Sequence, residues 1–305
     1  MTRVAAVDCG TNSIRLLVAD IEGDTLTDLD RRMEIVRLGE GVDRTGRFAA
    51  AALERTFAAC RRYAEVIEET KAERVRFVAT SASRDVANRD ELVAGVLVEL
   101  GVEPEVISGT EEAELSFLGA TRELLGRGYQ TPFLVVDIGG GSTEFVLGGT
   151  TVQAARSVDV GCVRMTERHL HDDPPTASQV AAARADIEAA IALAAETVPI
   201  ERAATLVGLA GSVTTVAATA LDLPAYLPER IHRSTISAAE VGSVAERLLG
   251  MSREARAALP FMHPGRVDVI GAGALILACV VAAAPVDEVL VSEHDILDGI
   301  AWSLA

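Results

Sequence analysis

Lysine is nearly missing from this 305-residue chain: Lys71 stands alone, and arginine supplies the rest of its 28 basic residues. A basic face is missing too. With 45 acidic residues and a formal net charge of −17, the chain lacks the broad positive surface that nucleic acid or an acidic membrane requires. A polyanion could be held only by a local cluster. Arginine forks suit bidentate phosphate contacts, although an alanine- and arginine-rich, lysine-poor composition follows as simply from a GC-rich genome. The four cysteines, Cys9, Cys60, Cys162 and Cys279, show no Cys-x-x-Cys spacing and are expected to be reduced, buried and inert. The N-terminal MTRVAAVDCG lacks the long uncharged core of a secretory signal, so it reads as the first strand of a cytoplasmic protein. The longest uncharged run, Val269 to Val286, is borderline for a membrane span. Gly271, Gly273, repeated alanines and Pro285 predict instead a closely packed buried helix, and no membrane partner.

What is present is a repeat. Residues 7–18 read VDCGTNSIRLLV and residues 136–147 read VDIGGGSTEFVL. Aligning Asp8 with Asp137 sets Gly10 on Gly139 and Ser13 on Ser142, with an apolar strand on either side of both loops. Two such copies, 129 residues apart, make a duplication. The length suits two domains, and 49% hydrophobic with 24% charged residues is ordinary for a soluble globular protein.

Strands are expected at Val4–Val7 and Ile14–Asp20, a helix from Phe48 to Lys71, a short strand at Arg76–Ala79 and a helix at Asp90–Leu100 closed by Gly101. Another strand at Glu105–Ile107 precedes a helix opened by Ser108-Gly-Thr-Glu-Glu-Ala-Glu and running to about Leu125. The turn-rich stretch Gly126–Pro132 is the expected boundary. Beyond it, Phe133–Leu147 repeats the strand, loop and strand. A helix is expected over Ala177–Thr197 after Pro174-Pro175-Thr176, a third glycine turn at Gly208-Leu-Ala-Gly-Ser212, and a last helix ending in Trp302. Strands alternating with helices predict two duplicated α/β domains, 1–128 and 129–305, facing one another across a central cleft. The last helix, about 293–305, is expected to pack back on the first domain.

In each copy an aspartate ends a buried strand and a glycine follows two residues later, so backbone N–H groups can turn toward an anion. Thr11, Asn12 and Ser13 line the first loop; Gly139, Gly140, Gly141, Ser142 and Thr143 form the second. Asp8 and Asp137 so near a phosphate call for a divalent cation between them. Arg15 and Glu144 occupy equivalent places just past each loop. They are either cross-strand ion-pair partners or, respectively, a phosphate contact and an orienter of metal-bound water. Arg84 follows the hydroxyls of Thr80-Ser-Ala-Ser83; capping accounts for the hydroxyls but not the arginine, which points to phosphate.

The two loops, the third glycine turn and their order resemble the actin, Hsp70 and sugar-kinase superfold (ribonuclease H-like, ASKHA). Within it, AAVDCGTNSIRLLVAD, ATSASRDVANRDE, VISGTEEAELSFLG, VVDIGGGSTEFVLG, GLAGSVTT and HPGRVDVIGAGALIL, in that order, resemble the exopolyphosphatase and guanosine pentaphosphate phosphohydrolase family over nearly the whole chain. The resemblance implies Mg²⁺-dependent release of terminal phosphate, with Mn²⁺ as the alternative ion. Inorganic polyphosphate, short chains favoured, or guanosine pentaphosphate is the implied substrate, and a homodimer the implied assembly. It places the catalytic glutamate on Glu112 and metal-associated acids on Asp137 and Glu144, with Asp8 beside them. Phosphate contacts fall on Thr11, Asn12, Ser13, Arg15, Arg84, Gly139 to Thr143, Gly211 and Ser212. Two departures stand out. Longer family members append helical domains after the second α/β domain, and Glu114 stands where the family commonly has arginine, which weakens attraction for a polyanion.

His169-Leu-His171-Asp-Asp173 has no second cluster at zinc-like spacing and reads as a polar loop. His263 and Arg266 serve either the start of a helix or the substrate. An ATP-dependent kinase would need a base pocket beyond the third turn, which Gly211-Ser-Val-Thr-Thr does not offer. An actin-like filament protein would need an interface insertion, and none stands out.

Overall fold

Alternation decides the first strand: Ala5, Val7 and Cys9 pack into one apolar cluster while Val4 and Ala6 pack into another, so β1 (Thr2–Cys9) is buried on both faces. The computed structural model describes residues 1–84 and 86–305. β1 pairs antiparallel with β2 (Ser13–Glu22), which pairs with β3 (Thr25–Ile35); on its other side it runs parallel to β4 (Arg74–Ala79), and β5 (Glu105–Val106) completes the order β3-β2-β1-β4-β5. The second sheet repeats the plan. Its strands are β6 (Phe133–Ile138), β7 (Thr143–Gly148), β8 (Val152–Val158), β9 (Thr205–Leu209), β10 (Thr235–Ser237) and β11 (Glu288–Val291), in the order β10-β11-β9-β6-β7-β8. The antiparallel triplet β6-β7-β8 answers β1-β2-β3, and β9 runs parallel to β6 as β4 does to β1. The fold is thus two α/β units of duplicated, actin-like plan.

Contacts divide the chain into one unit of residues 1–119 with 296–305 and another of residues 120–295. In the first, the helix Ala50–Thr70 covers one face of the sheet, burying Leu53, Tyr63 and Val66 against Ile14, Leu16 and Phe77. The C-terminal helix Ile296–Trp302 covers the other face, where Ile296, Leu297 and Ile300 meet Val4, Ala6, Leu17 and Ala19. Asp298, buried on that helix, receives Arg31 of β3 at 2.6 Å. Gly299 lies so close to the Leu115 backbone that a Cβ would sit 1.9 Å from its carbonyl oxygen. Backbone cannot swing aside as a side chain can, so Gly299→Ala should destabilise the protein by at least about 1–3 kcal/mol, the usual size of an overpacking penalty. Urea unfolding checks this; an unchanged midpoint would mean that the helix is not seated as described.

The second unit has one large core, built around Leu134, Val136 and Ile138 of β6 and the helix Ile270–Ala283. That helix is the longest uncharged run of the sequence, and its 14 residues are nearly all buried. Among the described residues no helix is long and apolar enough to cross a membrane. The helix Ala177–Ala195 starts at Thr176, whose side chain accepts the Gln179 N–H in a reciprocal capping box. All four cysteines are buried and unpaired as thiols.

Candidate active site

The two loops are closed by the same hydrogen bond. Gly10 N–H donates to the Ser13 carbonyl at 2.9 Å, and Gly139 N–H to the Ser142 carbonyl at 3.0 Å. In each copy the chain leaving the third strand then pulls the loop carbonyls to one side. In the first unit Gly39 N–H takes the Thr11 carbonyl, and the N–H groups of Val36 and Arg37 share that of Asn12. In the second, the first turn of the helix Cys162–His169 does so: Cys162 N–H takes the Gly139 carbonyl, while Val163 and Arg164 N–H take that of Gly140. Across a trans peptide the carbonyl and the next N–H point in opposite directions. The N–H groups of Asn12 and Ser13, and of Gly140 and Gly141, therefore face away from these clamps, as an anion-binding nest requires. Glycine is needed where the clamps touch. A Cβ on Gly39 would lie 2.2 Å from Thr11 Cγ2, and one on Gly161 would lie 2.4 Å from the Gly140 carbonyl group.

The paired positions after the loops differ in charge. Asp8 faces Arg15 across β1 and β2, whose Nη2 and Nε donate to Asp8 Oδ2 at 2.6 and 3.0 Å. Asp137 faces Glu144 across β6 and β7, so two acids stand opposite one another, both buried. Directly opposed residues share a face of the sheet with Cβ atoms about 5 Å apart, and such a pair is tolerable with a cation. Glu144 Oε1 is oriented by the hydroxyls of Ser142 and Ser157, each donating at 2.7 Å. The Thr143 hydroxyl donates inward to the Val160 carbonyl at 2.6 Å. Both loop hydroxyls expected at phosphate are thus engaged within the second unit, and its nest is made of backbone.

In the first unit Glu112 lies in the first turn of the helix Gly109–Thr121, buried, with Arg84 Nη1 donating to its Oε2 at 2.5 Å. Burial pushes its carboxyl up to about 7, with Asp8 adding to the rise and with Arg84 and a Thr80 hydrogen bond opposing it. Glu111 points elsewhere and pairs with Arg76 at 2.7 Å. Thr80 and Ser157 were not singled out in the sequence as site residues; Ser157 becomes visible once β8 is paired, because it sits opposite Glu144.

At the third turn, Ala210 adopts φ 66°, a left-handed conformation that costs an L-residue roughly 1–2 kcal/mol and recurs at functional sites. Ser212 is buried there, and the Arg266 guanidinium lies against Gly211, where it would stand 2.5 Å from a Cβ, and donates to Thr215 Oγ1 at 3.1 Å. His263 accepts the Gly265 N–H at the start of a short helical turn.

The polar loop around residue 171 is structural: His169 contacts Asp186 at 2.9 Å, Asp172 accepts from Gln179, and Asp173 accepts from Arg256 and the Arg253 N–H. One group of three potential ligands occurs among the described residues, Glu123, His232 and His294. Glu123 Oε1 lies 2.5 Å from His232 Nε2, a contact too misaligned for a hydrogen bond, and 3.7 Å from His294 Nδ1. His232 Nδ1 accepts the Glu293 N–H at 3.2 Å, which leaves the ring proton on Nε2. That nitrogen then has no lone pair for a metal, and the contact joins a neutral imidazole to the Glu123 carboxylate.

The sequence profile of the Ppx/GppA phosphatase family matches residues 17–305. Exopolyphosphatase 2 of Mycobacterium tuberculosis is 53% identical over 318 residues, covering 100% of this chain and 99% of that one. The crystal structure of an exopolyphosphatase-like protein matches with a TM-score of 0.96 at 43% identity, over 100% of this chain and 98% of the other. An Aquifex aeolicus PPX-GPPA enzyme matches with a TM-score of 0.82 at 31% identity, over 99% of both chains.

Proposed function

From the premise that this chain belongs to the Ppx/GppA phosphatase family, we propose that it is an exopolyphosphatase, a hydrolase that releases orthophosphate from the ends of inorganic polyphosphate. The observation that carries the chemistry is the buried Glu112–Arg84 pair, a carboxylate raised toward neutrality beside a guanidinium. The 53% identical exopolyphosphatase supports polyphosphate over guanosine pentaphosphate.

Phosphoanhydride hydrolysis passes through a loose transition state in which the phosphoryl oxygens hold the charge, so the protein's task is positioning and neutralisation. Water oxygen bonds to the terminal phosphorus, the bridging P–O bond breaks, and the shortened polyphosphate leaves with the electron pair. Glu112 accepts the proton of the attacking water. Arg84 offsets charge on the phosphoryl oxygens, and each loop's nest offers N–H groups to phosphate. Asp137 and Glu144 would hold a divalent cation, which when bound neutralises phosphate charge and polarises the phosphoryl group. The Arg15–Asp8 pair and the opposition of Asp137 and Glu144 support the second unit's acids as the ligands of that cation.

Phosphate release measured with short polyphosphate, long polyphosphate, guanosine pentaphosphate and ATP, with and without chelator, tests the reading. Polyphosphate should be the best substrate, and activity should vanish in chelator and return with Mg²⁺. Full activity in chelator would remove the metal, and preference for guanosine pentaphosphate would reverse the substrate. Family resemblance supports Mg²⁺, a homodimer and the cytoplasm, the first two read by a metal series and sedimentation on the same preparation.

Glu112 must be ionised to act as a base, so kcat/KM should rise with pH through about 7 and fall below it. In Arg84→Gln, which removes a group holding the carboxyl down, the rise should move to higher pH. The sign for stability is the opposite. Between 4.5 and about 7 the folded protein keeps a proton that the unfolded chain has released, so this group's contribution declines as pH climbs through that window. A pH-rate profile without an acid limb would take Glu112 out of the base role.

A further inference from the structure

A cation in the first turn of a helix breaks a local rule, because the helix dipole favours carboxylates there. Arg164 is the third residue of the helix Cys162–His169, whose first turn holds no acid. Asp159 lies 3.8 Å away with a side chain 80% exposed, so that ion pair offers little in return. A closer contact reaches the phosphate loop: Arg164 Nε donates to the Gly141 carbonyl at 2.8 Å, and its own N–H donates to the Gly140 carbonyl. Its side chain remains 22% exposed.

We propose that Arg164 is a positioning residue for the second phosphate loop. Two of the loop carbonyls are held by backbone N–H groups of the helix, and the Gly141 carbonyl is held by this side chain. Fixing that carbonyl fixes the following peptide plane, and so aims the Ser142 N–H to the same side as those of Gly140 and Gly141. Three consecutive N–H groups then converge on one phosphoryl oxygen set instead of two. The guanidinium adds positive charge behind the nest, at a loop whose neighbouring strands carry Asp137 and Glu144. This role rests on the exopolyphosphatase reading for its substrate, the terminal phosphates of polyphosphate, but not for its geometry.

The test compares the parent, Arg164→Met, Arg164→Lys and Asp159→Asn by steady-state kinetics on tripolyphosphate, calorimetric binding of tripolyphosphate with Mg²⁺, and thermal unfolding. Loss of a charge-assisted contact predicts that Arg164→Met raises KM and Kd together by about 10-fold or more, with kcat within about threefold, because the nest binds substrate and transition state alike. Arg164→Lys should recover part of the affinity, and Asp159→Asn should match the parent. Unchanged KM and Kd in Arg164→Met overturn the proposal. So does a fall in kcat and melting temperature at constant KM, the signature of a structural role. A parent that binds tripolyphosphate without hydrolysing it defeats the exopolyphosphatase reading, and the Kd comparison still decides the role of Arg164. A parent that does not bind it at all overturns both.

Discussion

Glu112→Gln should release orthophosphate from short polyphosphate at least about 100-fold more slowly than the parent, in line with the usual size of general-base effects. Binding should survive, since it rests on the nests and the cation. The competing explanation is that Glu112 is a first-turn acid placed for the helix dipole, worth at most about 1 kcal/mol at such a site. Its surroundings argue against that. A dipole-stabilising acid functions at the surface, whereas Glu112 is buried against Arg84, at a cost in desolvation that lifts its carboxyl toward neutrality. The amide keeps the shape and the Arg84 contact but cannot accept a proton. Glu111→Gln is the control: its partner is Arg76 and its side chain is well exposed, so turnover should change little. Parent-like turnover in both variants would sink the assignment of the base.

Gly161→Ala should be nearly as damaging by a different route. Gly161 has φ −149° and ψ 163°, extended backbone that alanine adopts freely, so any effect comes from space alone. The added Cβ would stand 2.4 Å from the Gly140 carbonyl carbon and oxygen and 2.5 Å from the Gly141 nitrogen. None of these is a movable side-chain tip. The loop must shift away from the helix Cys162–His169, lengthening the bonds that turn its carbonyls back, and the nest loses its aim. A misplacement of about 1 Å in a substrate-positioning element can cost about 100-fold, so kcat/KM should fall by roughly that factor. Gly242→Ala, in a helix where a Cβ meets nothing within 4 Å, should leave activity intact and slightly raise stability. If Gly161→Ala keeps parental kcat/KM, the carbonyl clamp does not organise the loop.

The glycine loops were legible in the sequence because each joins two apolar strands whose burial is written in their composition, and because the motif occurs twice. β3 was not. Its sequence, TLTDLDRRMEI, has no apolar alternation, since it is a largely exposed edge strand held by pairing to β2. Missing strands of this kind hides their neighbours as well. Without β8 in register, nothing in the sequence told Ser157 from any other serine, and the inward turn of the Ser142 and Thr143 hydroxyls could not be foreseen. Charge opposition was half visible: Arg15 and Glu144 were seen as equivalent, but that one neutralises its aspartate while the other doubles the acid needed the strand register. Arg164 had no sequence signal, for its meaning lies in a carbonyl 23 residues upstream.

The C-terminal helix has a consequence for biosynthesis. A ribosome delivers β1 and β2 before the second unit, yet the face formed by Val4, Ala6, Leu17 and Ala19 is closed by residues 296–301, which emerge only after that unit. Until then the nascent first unit holds a bare apolar surface while 176 residues of the second are made and fold. Such long-range closure is slow and exposes the chain to aggregation. The growing polypeptide should therefore engage a holdase chaperone at this face throughout translation of the second unit. Chains stalled just before Ile296 should remain bound, and emergence of residues 296–301 should free them.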